Sequence, residues 1–543
     1  MRRTTALTAA ITVAVAIGAL MLVAAAGTTH HPAVARDRTV GPTDASKRIA
    51  VSLILRVPGQ AALTRYLEST STPGANTYQH TIRPRDFGRR FGLSSARIGQ
   101  LTQQLSKRRL TVRRTFPQRT AMQITGTVGE LEQLFSTKLV NHVDSAGRHY
   151  YAPVSSPTIP GWLHGYVNAV TGLSTRPVLR AADVPAGGLD PRTLGRAYDF
   201  APLRAQGIAG SGQTIAVVSF DSFADGDLSS YESHFGIKGP PVQHVRVSGG
   251  TLPGSSQQEV NLDIDTIRAI APGALILDYE AHQGVVTMAD VINQIVADHR
   301  ARVISTSWGR CDLLVPDATR IADENALAAA RAAGITVFAA SGDNGAYDCQ
   351  AEDLSDQRAS VDWPAASANV VAVGGTRLAV RQDGSYLAEY GWEDVLKGDG
   401  GGGGLASVTQ RPTWQTGPGV QNQFSDGHRQ LPDVAGPADP DSGMVVFSRG
   451  GYHQIGGTSA AAPFWAATLL LLRDYAQRHR AADPGFIAPA LYRLAAKPRT
   501  ANAFHKALRG GNRRFSVTTG WNYVSGLGSP NVALLARELA EPR

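Results

Sequence analysis

Ile455-Gly456-Gly457-Thr458-Ser459-Ala460-Ala461-Ala462-Pro463 is the stretch on which the reading of this 543-residue chain turns. It follows a strand-like run at 444–447, a hairpin-like Ser448-Arg449-Gly450-Gly451 and a second run at 452–455, and it opens a strongly apolar helix expected over 464–475. A serine at such a junction holds its hydroxyl at a helix N-terminus, where unpaired N–H groups and the dipole favour negative charge on oxygen. Gly456 and Gly457 allow a tight turn and the close approach of a substrate, and Ala460 to Ala462 let the helix run buried without crowding. Pro463 is expected in the first helical turn, where no N–H partner is lost. The plainer alternative is that Thr458 or Ser459 is an N-cap.

Gly-Thr-Ser followed by three small residues and proline is more specific than a cap, and it resembles the serine motif shared by subtilisins and sedolisins. The two families differ in what activates the serine. A subtilisin needs a histidine in a His-Gly-Thr setting at a helix start, and none of His234, His244, His282, His299, His428, His453, His479 and His505 has one. The chain instead offers Glu259-Val260-Asn261-Leu262-Asp263 on a helix expected over 259–270, where residues four apart project from one face. Two carboxyl groups so close cannot both ionise freely, so one pKa rises and a proton can be shared. Ser256-Gln257-Gln258-Glu259 also fits a capping box, with Asp263 an ordinary surface acid. Beside the serine motif, the pair resembles the Glu and Asp of the sedolisin triad. That implies Ser459 as nucleophile, Glu259 as general base, and Asp263 as the residue that orients Glu259 and shares its charge.

Two further strings carry the resemblance. Ser341-Gly342-Asp343-Asn344-Gly345 follows a strand expected over 336–340 and by composition alone is a polar turn. In sedolisins such a string supplies the aspartic acid that faces the oxyanion, which requires Asp343 to be protonated, because an ionised carboxylate only accepts hydrogen bonds. Ser305-Thr306-Ser307-Trp308-Gly309 ends the preceding strand and resembles the family segment whose backbone pairs with extended substrate and whose tryptophan extends the glutamate's hydrogen-bond network. It implies Ser307, Trp308 and Gly309 as substrate-binding residues, by strand addition; otherwise Trp308 is core. Cys311 and Cys349, the two cysteines, are expected to form one disulfide bracing two walls of the cleft, since an exported protein can oxidise them. Gly400 to Gly404 is either a further rim or a flexible loop.

A chain this long exceeds what one core supports. Arg2 and Arg3 precede an uncharged apolar run, 6–27, with cleavage candidates at Ala24-Ala25-Ala26 and Ala33-Val34-Ala35, so residues 1–35 read as a secretory signal or, uncleaved, a signal anchor. After a linker at 36–46, residues 47–178 alternate strands and helices as a small α+β domain. Tyr78, Pro84, Phe87, Phe91-Gly92, Gly126-Thr127-Val128, Tyr150-Tyr151-Ala152 and Ile159-Pro160 resemble the activation domain of kumamolisin-like sedolisins. The resemblance implies a ferredoxin-like prodomain, removed on activation, that serves as intramolecular inhibitor and folding aid. A linker at 179–188, exposed from Ala181 to Gly188, is where processing is expected.

Residues 47–176 hold 18 Lys and Arg against 5 Asp and Glu, so the overall charge of +9 belongs to this domain and the rest of the chain beyond it is acidic. A basic module also suits nucleic acid or membranes, but no nucleic-acid motif is present. Charge is instead expected to help hold a cationic prodomain on an anionic catalytic domain.

Over 189–543, strands at 214–220, 274–280, 303–307, 336–340 and 370–373 alternate with helices at 228–234, 259–270, 288–299 and 322–332. That is the pattern of an α/β, doubly wound, mainly parallel sheet with reactive groups at the carboxyl ends of strands. The resemblance to the sedolisin catalytic domain, over about 189–533, implies a subtilisin-like fold.

Two departures from the family pattern stand out. Many members place a glutamate after the first catalytic-domain strand, where this chain has Ser219, with Asp221 two residues on. Residues 503–510 and 520–528 match the family's calcium-site region, but Lys506 and Asn522 replace two aspartate ligands. Calcium needs several oxygens, commonly carboxylate, so no metal site of the family type and no cofactor is expected.

The strings together imply a secreted, acid-acting serine-type peptidase made as a zymogen. A carboxylate base, with a reference pKa of about 4.3, still accepts a proton where histidine is mostly protonated. The alternatives are a histidine-dependent subtilisin-like peptidase and a catalytically decayed exported binding protein on the same scaffold. Expected partners are a peptide or protein substrate and the chain's own prodomain, with no nucleic acid, and a membrane only if the N-terminal segment stays. Endopeptidase and tripeptidyl peptidase action both stay open.

Overall fold

Arg48–Leu55 is buried at all but its first and third positions because it runs through the middle of a four-stranded antiparallel sheet. The other strands are Thr111–Thr115, Ala121–Thr127 and Val167–Thr171, and the order in space, counted along the chain, is four-one-three-two. The helices Ser95–Ser106 and Val128–Phe135 cover one face, where Leu101, Leu105, Leu131 and Phe135 pack against Val51, Leu53 and Ile124. This is the ferredoxin-like arrangement expected of the prodomain. A computed structural model provides these coordinates and describes residues 37–144, 147–176 and 188–540. The signal segment and all but Gly188 of the processing linker lie outside the described residues.

The stretch expected as a linker, 36–46, holds a strand, Arg38–Pro42, paired antiparallel with Leu139–Val143. Its own five residues, ending in Gly and Pro, carry no strand pattern; the pairing comes from a partner about a hundred positions away.

In the second domain the parallel strands lie in the order Val371–Val380, Thr336–Ala340, Val303–Thr306, Thr214–Ser219, Leu275–Glu280, Gln243–Arg246. Tyr386–Gly391 adds an antiparallel edge and Val434–Pro437 pairs parallel with Val371–Val380, making eight strands. The order reverses on either side of Thr214–Ser219, so this sheet is doubly wound, and crevices open at the carboxyl ends of its strands.

The serine helix is longer than the sequence suggests. It spans Thr458–Arg478 and is buried on all sides as far as Leu472, because it runs between the sheet and the helix Gln257–Ile270. Pro463 therefore lies inside the helix, as its sixth residue. Its missing N–H leaves the Ser459 carbonyl without a helical donor; Ser307 Oγ, 3.1 Å away, takes that place.

The free face of the prodomain sheet covers the helices Met288–Asp298 and Asp317–Ala332, and Ile54, Phe87, Phe91 and Phe116 join the catalytic-domain core. Ser52 donates to Asp290 (2.7 Å), Gln118 to Asn293 (2.8 Å), Arg331 to Ser71 Oγ (2.8 Å) and Arg493 to the Tyr78 hydroxyl (2.7 Å). No ion pair crosses this seam among the described residues; apolar burial and single hydrogen bonds make the contact.

Candidate active site

Three elements converge on the site: the carboxyl ends of Val303–Thr306 and Thr336–Ala340, and the start of Thr458–Arg478. They enclose a cavity of about 160 Å³ lined by Ser307, Gly309, Gly342, Asp343, Thr458 and Ser459, together with Asp348, Glu352 and Asp362 and no histidine. A larger opening of about 1220 Å³ lies in the seam between the domains and shares none of these residues.

Neither Thr458 nor Ser459 is the N-cap. That position is Gly457, whose φ of 95° is a conformation glycine alone takes without strain. The helix start is capped from another segment: Asp343 Oδ1 accepts from Thr458 N (2.7 Å) and from Thr458 Oγ1 (2.8 Å), and Thr458 Oγ1 accepts from Gly342 N (3.1 Å). With Oδ1 holding two donors, the acid's hydrogen belongs on Oδ2. A Cβ at position 457 would lie 2.8 Å from that oxygen, so Gly457 keeps the space over it clear. Burial raises the Asp343 pKa, against the lowering effect of the Thr458 hydrogen bonds. Asp348 and Asp362 are raised well above their usual range, first by burial and then by neighbouring acids.

Glu259 and Asp263 sit on successive turns of Gln257–Ile270 and are buried, 3% and 0% exposed. Burial pushes the Asp263 pKa up to about 8, so Asp263 keeps its proton in acid. Ser307 Oγ lies 2.6 Å from Asp263 Oδ1 and 3.1 Å from the Ser459 carbonyl. Ser307 Oγ donates to Asp263 Oδ1, and its one hydrogen is divided between that oxygen and the Ser459 carbonyl. Ser459 Oγ, in turn, is 3.5 Å from the Ser307 carbonyl.

The capping-box reading of Ser256 to Glu259 does not hold, since Ser256 makes no side-chain cap bond. The helix start is held instead by Asp221, which accepts from Gly254 N (2.7 Å) and Ser256 N (2.7 Å). Further along, Ser448 Oγ donates to Asn261 Oδ1 (2.8 Å) and Phe447 N to Asp265 Oδ2 (2.9 Å). These bonds fix the Glu259 helix against the hairpin that leads into the serine stretch.

Cys311 and Cys349 are joined, tying the segment after Ser307 to that after Asp343. The glycine run packs as a wall behind Asp343: Gly400 N donates to the Asp343 carbonyl (2.8 Å) and Gly402 N to the Gly342 carbonyl (2.7 Å). Trp308 is 2% exposed and stands edge-on to Phe220, but its Nε1 makes no hydrogen bond, so it does not extend a network from Glu259. The prodomain's last described residues, Gly172 to Arg176, border a cavity that also touches Arg310, a residue of the cleft wall.

At the region matching the family's calcium site, the residues present do not fit the ion. Lys506 Nζ donates to the Leu527 carbonyl, while Asn522 Oδ1 accepts from Val524 N (3.0 Å) and Ser525 N (3.0 Å). An ammonium and an already occupied amide oxygen stand where carboxylates would be needed.

Thr458 and Asp221 were not singled out as site residues in the sequence. Thr458 lies inside the motif, where capping is only its plainer alternative, and its partner Asp343 is 115 positions away.

Residues 36–176 match the pro-kumamolisin activation domain, and residues 245–504 match the subtilase family. The chain is 30% identical over 523 residues to kumamolisin from Bacillus sp. (strain MN-32), covering 90% of this chain and 91% of that protein. It is 29% identical over 524 residues to sedolisin from Pseudomonas sp. (strain 101), covering 90% and 86%. The solved structure of Pseudomonas sedolisin, a serine-carboxyl proteinase complexed with pseudo-iodotyrostatin, matches with a TM-score of 0.58 and 28% identity over 66% of this chain and 100% of that one.

Proposed function

Since the chain belongs to the sedolisin family of serine-carboxyl peptidases, in its kumamolisin-like form with an activation domain, we propose that Ser459, Glu259, Asp263 and Asp343 carry its peptide hydrolysis. The enzyme is a zymogen whose prodomain is an intramolecular inhibitor. In our reading Ser459 Oγ attacks the scissile carbonyl, Glu259 takes its proton and passes it to the leaving amine, and Asp263 orients Glu259 and shares its charge. The Asp343 Oδ2 hydrogen meets the oxyanion. Ser307 and Gly309 line the cleft where an extended substrate would pair.

The observation that carries this reading is the Asp343 arrangement. A half-buried acid with both donors on one oxygen presents its hydrogen beside the helix start that bears Ser459. Such a donor suits a place where charge develops on a substrate oxygen. Secretion, the use of the prodomain as a folding aid and cleavage within 179–188 complete the proposal.

The pH dependence of hydrolysis tests it. Processed enzyme should keep a substantial share of its kcat/KM at pH about 4, where a carboxylate of pKa about 4.3 is still about one third ionised. A fall in kcat/KM through pH 6 to 7 on acidification would instead implicate histidine.

We also propose that hydrolysis needs no calcium, Lys506 supplying a cation in its place. Exhaustive chelation should leave Tm and kcat unchanged, and a chelator-induced fall in either that added calcium restores would contradict this.

A further inference from the structure

A second cluster sits at the carboxyl ends of Thr214–Ser219, Leu275–Glu280 and Gln243–Arg246. Strand register places His244 beside Asp278 and Ser219 beside Glu280, and residues two apart on a strand share a face. One ligand atom from each of His244, Asp278 and Glu280 lies within 4.8 Å of the others. Asp278 and Glu280 are 0% and 1% exposed, while the His244 ring is 28% exposed and leaves a way in from solvent.

We infer that His244, Asp278 and Glu280 form a binding site for one divalent first-row transition cation, with zinc the best match. The observation that points to a ligand is Asp278 Oδ2, a fully buried carboxylate oxygen with no hydrogen-bond partner. An oxygen in that state is costly to bury, and a cation between the three side chains would satisfy it. One imidazole and two carboxylates are donors that suit zinc, and two negative charges would balance it.

Each ligand is also held from behind, as metal ligands are. His244 Nδ1 faces Glu280 at 2.5 Å, while Nε2 lies 3.1 Å from Asp225 Oδ1, so the outer nitrogen can donate to a carboxylate as the inner one binds. Ser222 Oγ donates to Glu280 Oε1 (2.6 Å), and Ser219 Oγ donates to Asp278 Oδ1. The Phe223 ring stacks on His244 with centroids 5.0 Å apart.

Ser219, Ser222, Phe223 and Asp225 belong to one short segment, and Asp221 within it holds Gly254 N and Ser256 N ahead of the Glu259 helix. A cation bound here would stiffen the clamp that seats Glu259. The site is separate from the region around Lys506 and Asn522, and the inference does not depend on how Ser459 is activated.

The test uses the full precursor without a histidine tag, carrying Ser459→Ala so that it stays whole, at neutral pH, since a bound metal must displace the ligands' protons. Zinc alone is titrated by calorimetry and retained metal is counted after dialysis, with cobalt(II) absorption as a second readout. We expect one zinc per chain, no retained zinc in His244→Ala, and affinity about 10- to 100-fold weaker in Asp225→Asn. The Asp225 side chain is 77% exposed, so that variant leaves the fold intact. Absence of stoichiometric zinc, or equal affinity in the parent and both variants, would overturn the inference.

Discussion

Ser459→Ala is expected to lower kcat by about 10⁴-fold or more, with KM little changed. The serine is 3% exposed at the second position of a helix packed on every side, so alanine leaves the fold as it is. Glu259→Gln should fall by a similar factor, because a glutamine cannot take the serine's proton. The informative chain is the double variant. Groups that act as one unit lose their effect together, so removing both should cost no more than removing either. Steady-state kinetics on a peptide substrate measures all three, and multiplicative losses would show that Glu259 acts apart from Ser459.

Asp343→Asn is expected to cost about 10²- to 10³-fold in kcat and to change the shape of the pH profile. Burial raises the Asp343 pKa, so the carboxyl keeps its hydrogen to a higher pH than a free aspartic acid and loses it as pH rises through that raised value. Native activity should therefore fall on the alkaline side. Asparagine accepts from Thr458 through Oδ1 as aspartate does, and its amide donates at every pH. The variant should thus be slower at acid pH but lose its alkaline limb. An unchanged limb would assign that titration to Asp263, which burial pushes up to about 8, or to another group.

How much of this is legible in the chain follows from what each feature depends on. Glu259 and Asp263 are readable because helical spacing alone puts them on one face, and the alternation of strands and helices fixes the doubly wound sheet. The serine stretch is readable as a strand-to-helix junction, but the start of its helix is not. Small residues with a proline five positions on suggest a late start, whereas Asp343 caps the helix at Thr458 from 115 positions away. Pro463 is tolerated for a reason equally remote, the Ser307 hydroxyl that meets the Ser459 carbonyl. The same limit hides the Arg38–Pro42 strand and the Asp221 clamp, whose partners are set by the assembled fold. Net charge says little about the domain seam, because the contact is made by Ile54, Phe87 and Phe116 and by single hydrogen bonds in which even Arg331 and Arg493 meet hydroxyls and not carboxylates.

The central claim is a self-activating serine whose base is a carboxylate, and mass spectrometry of purified precursor shifted from neutral pH to about 4 addresses it most directly. The account predicts that the native chain sheds its prodomain by a cut between residues 177 and 190, while Ser459→Ala and Glu259→Gln precursors stay whole. Equal processing of the Glu259→Gln chain, or a native chain that is cut only at neutral or alkaline pH, would contradict it.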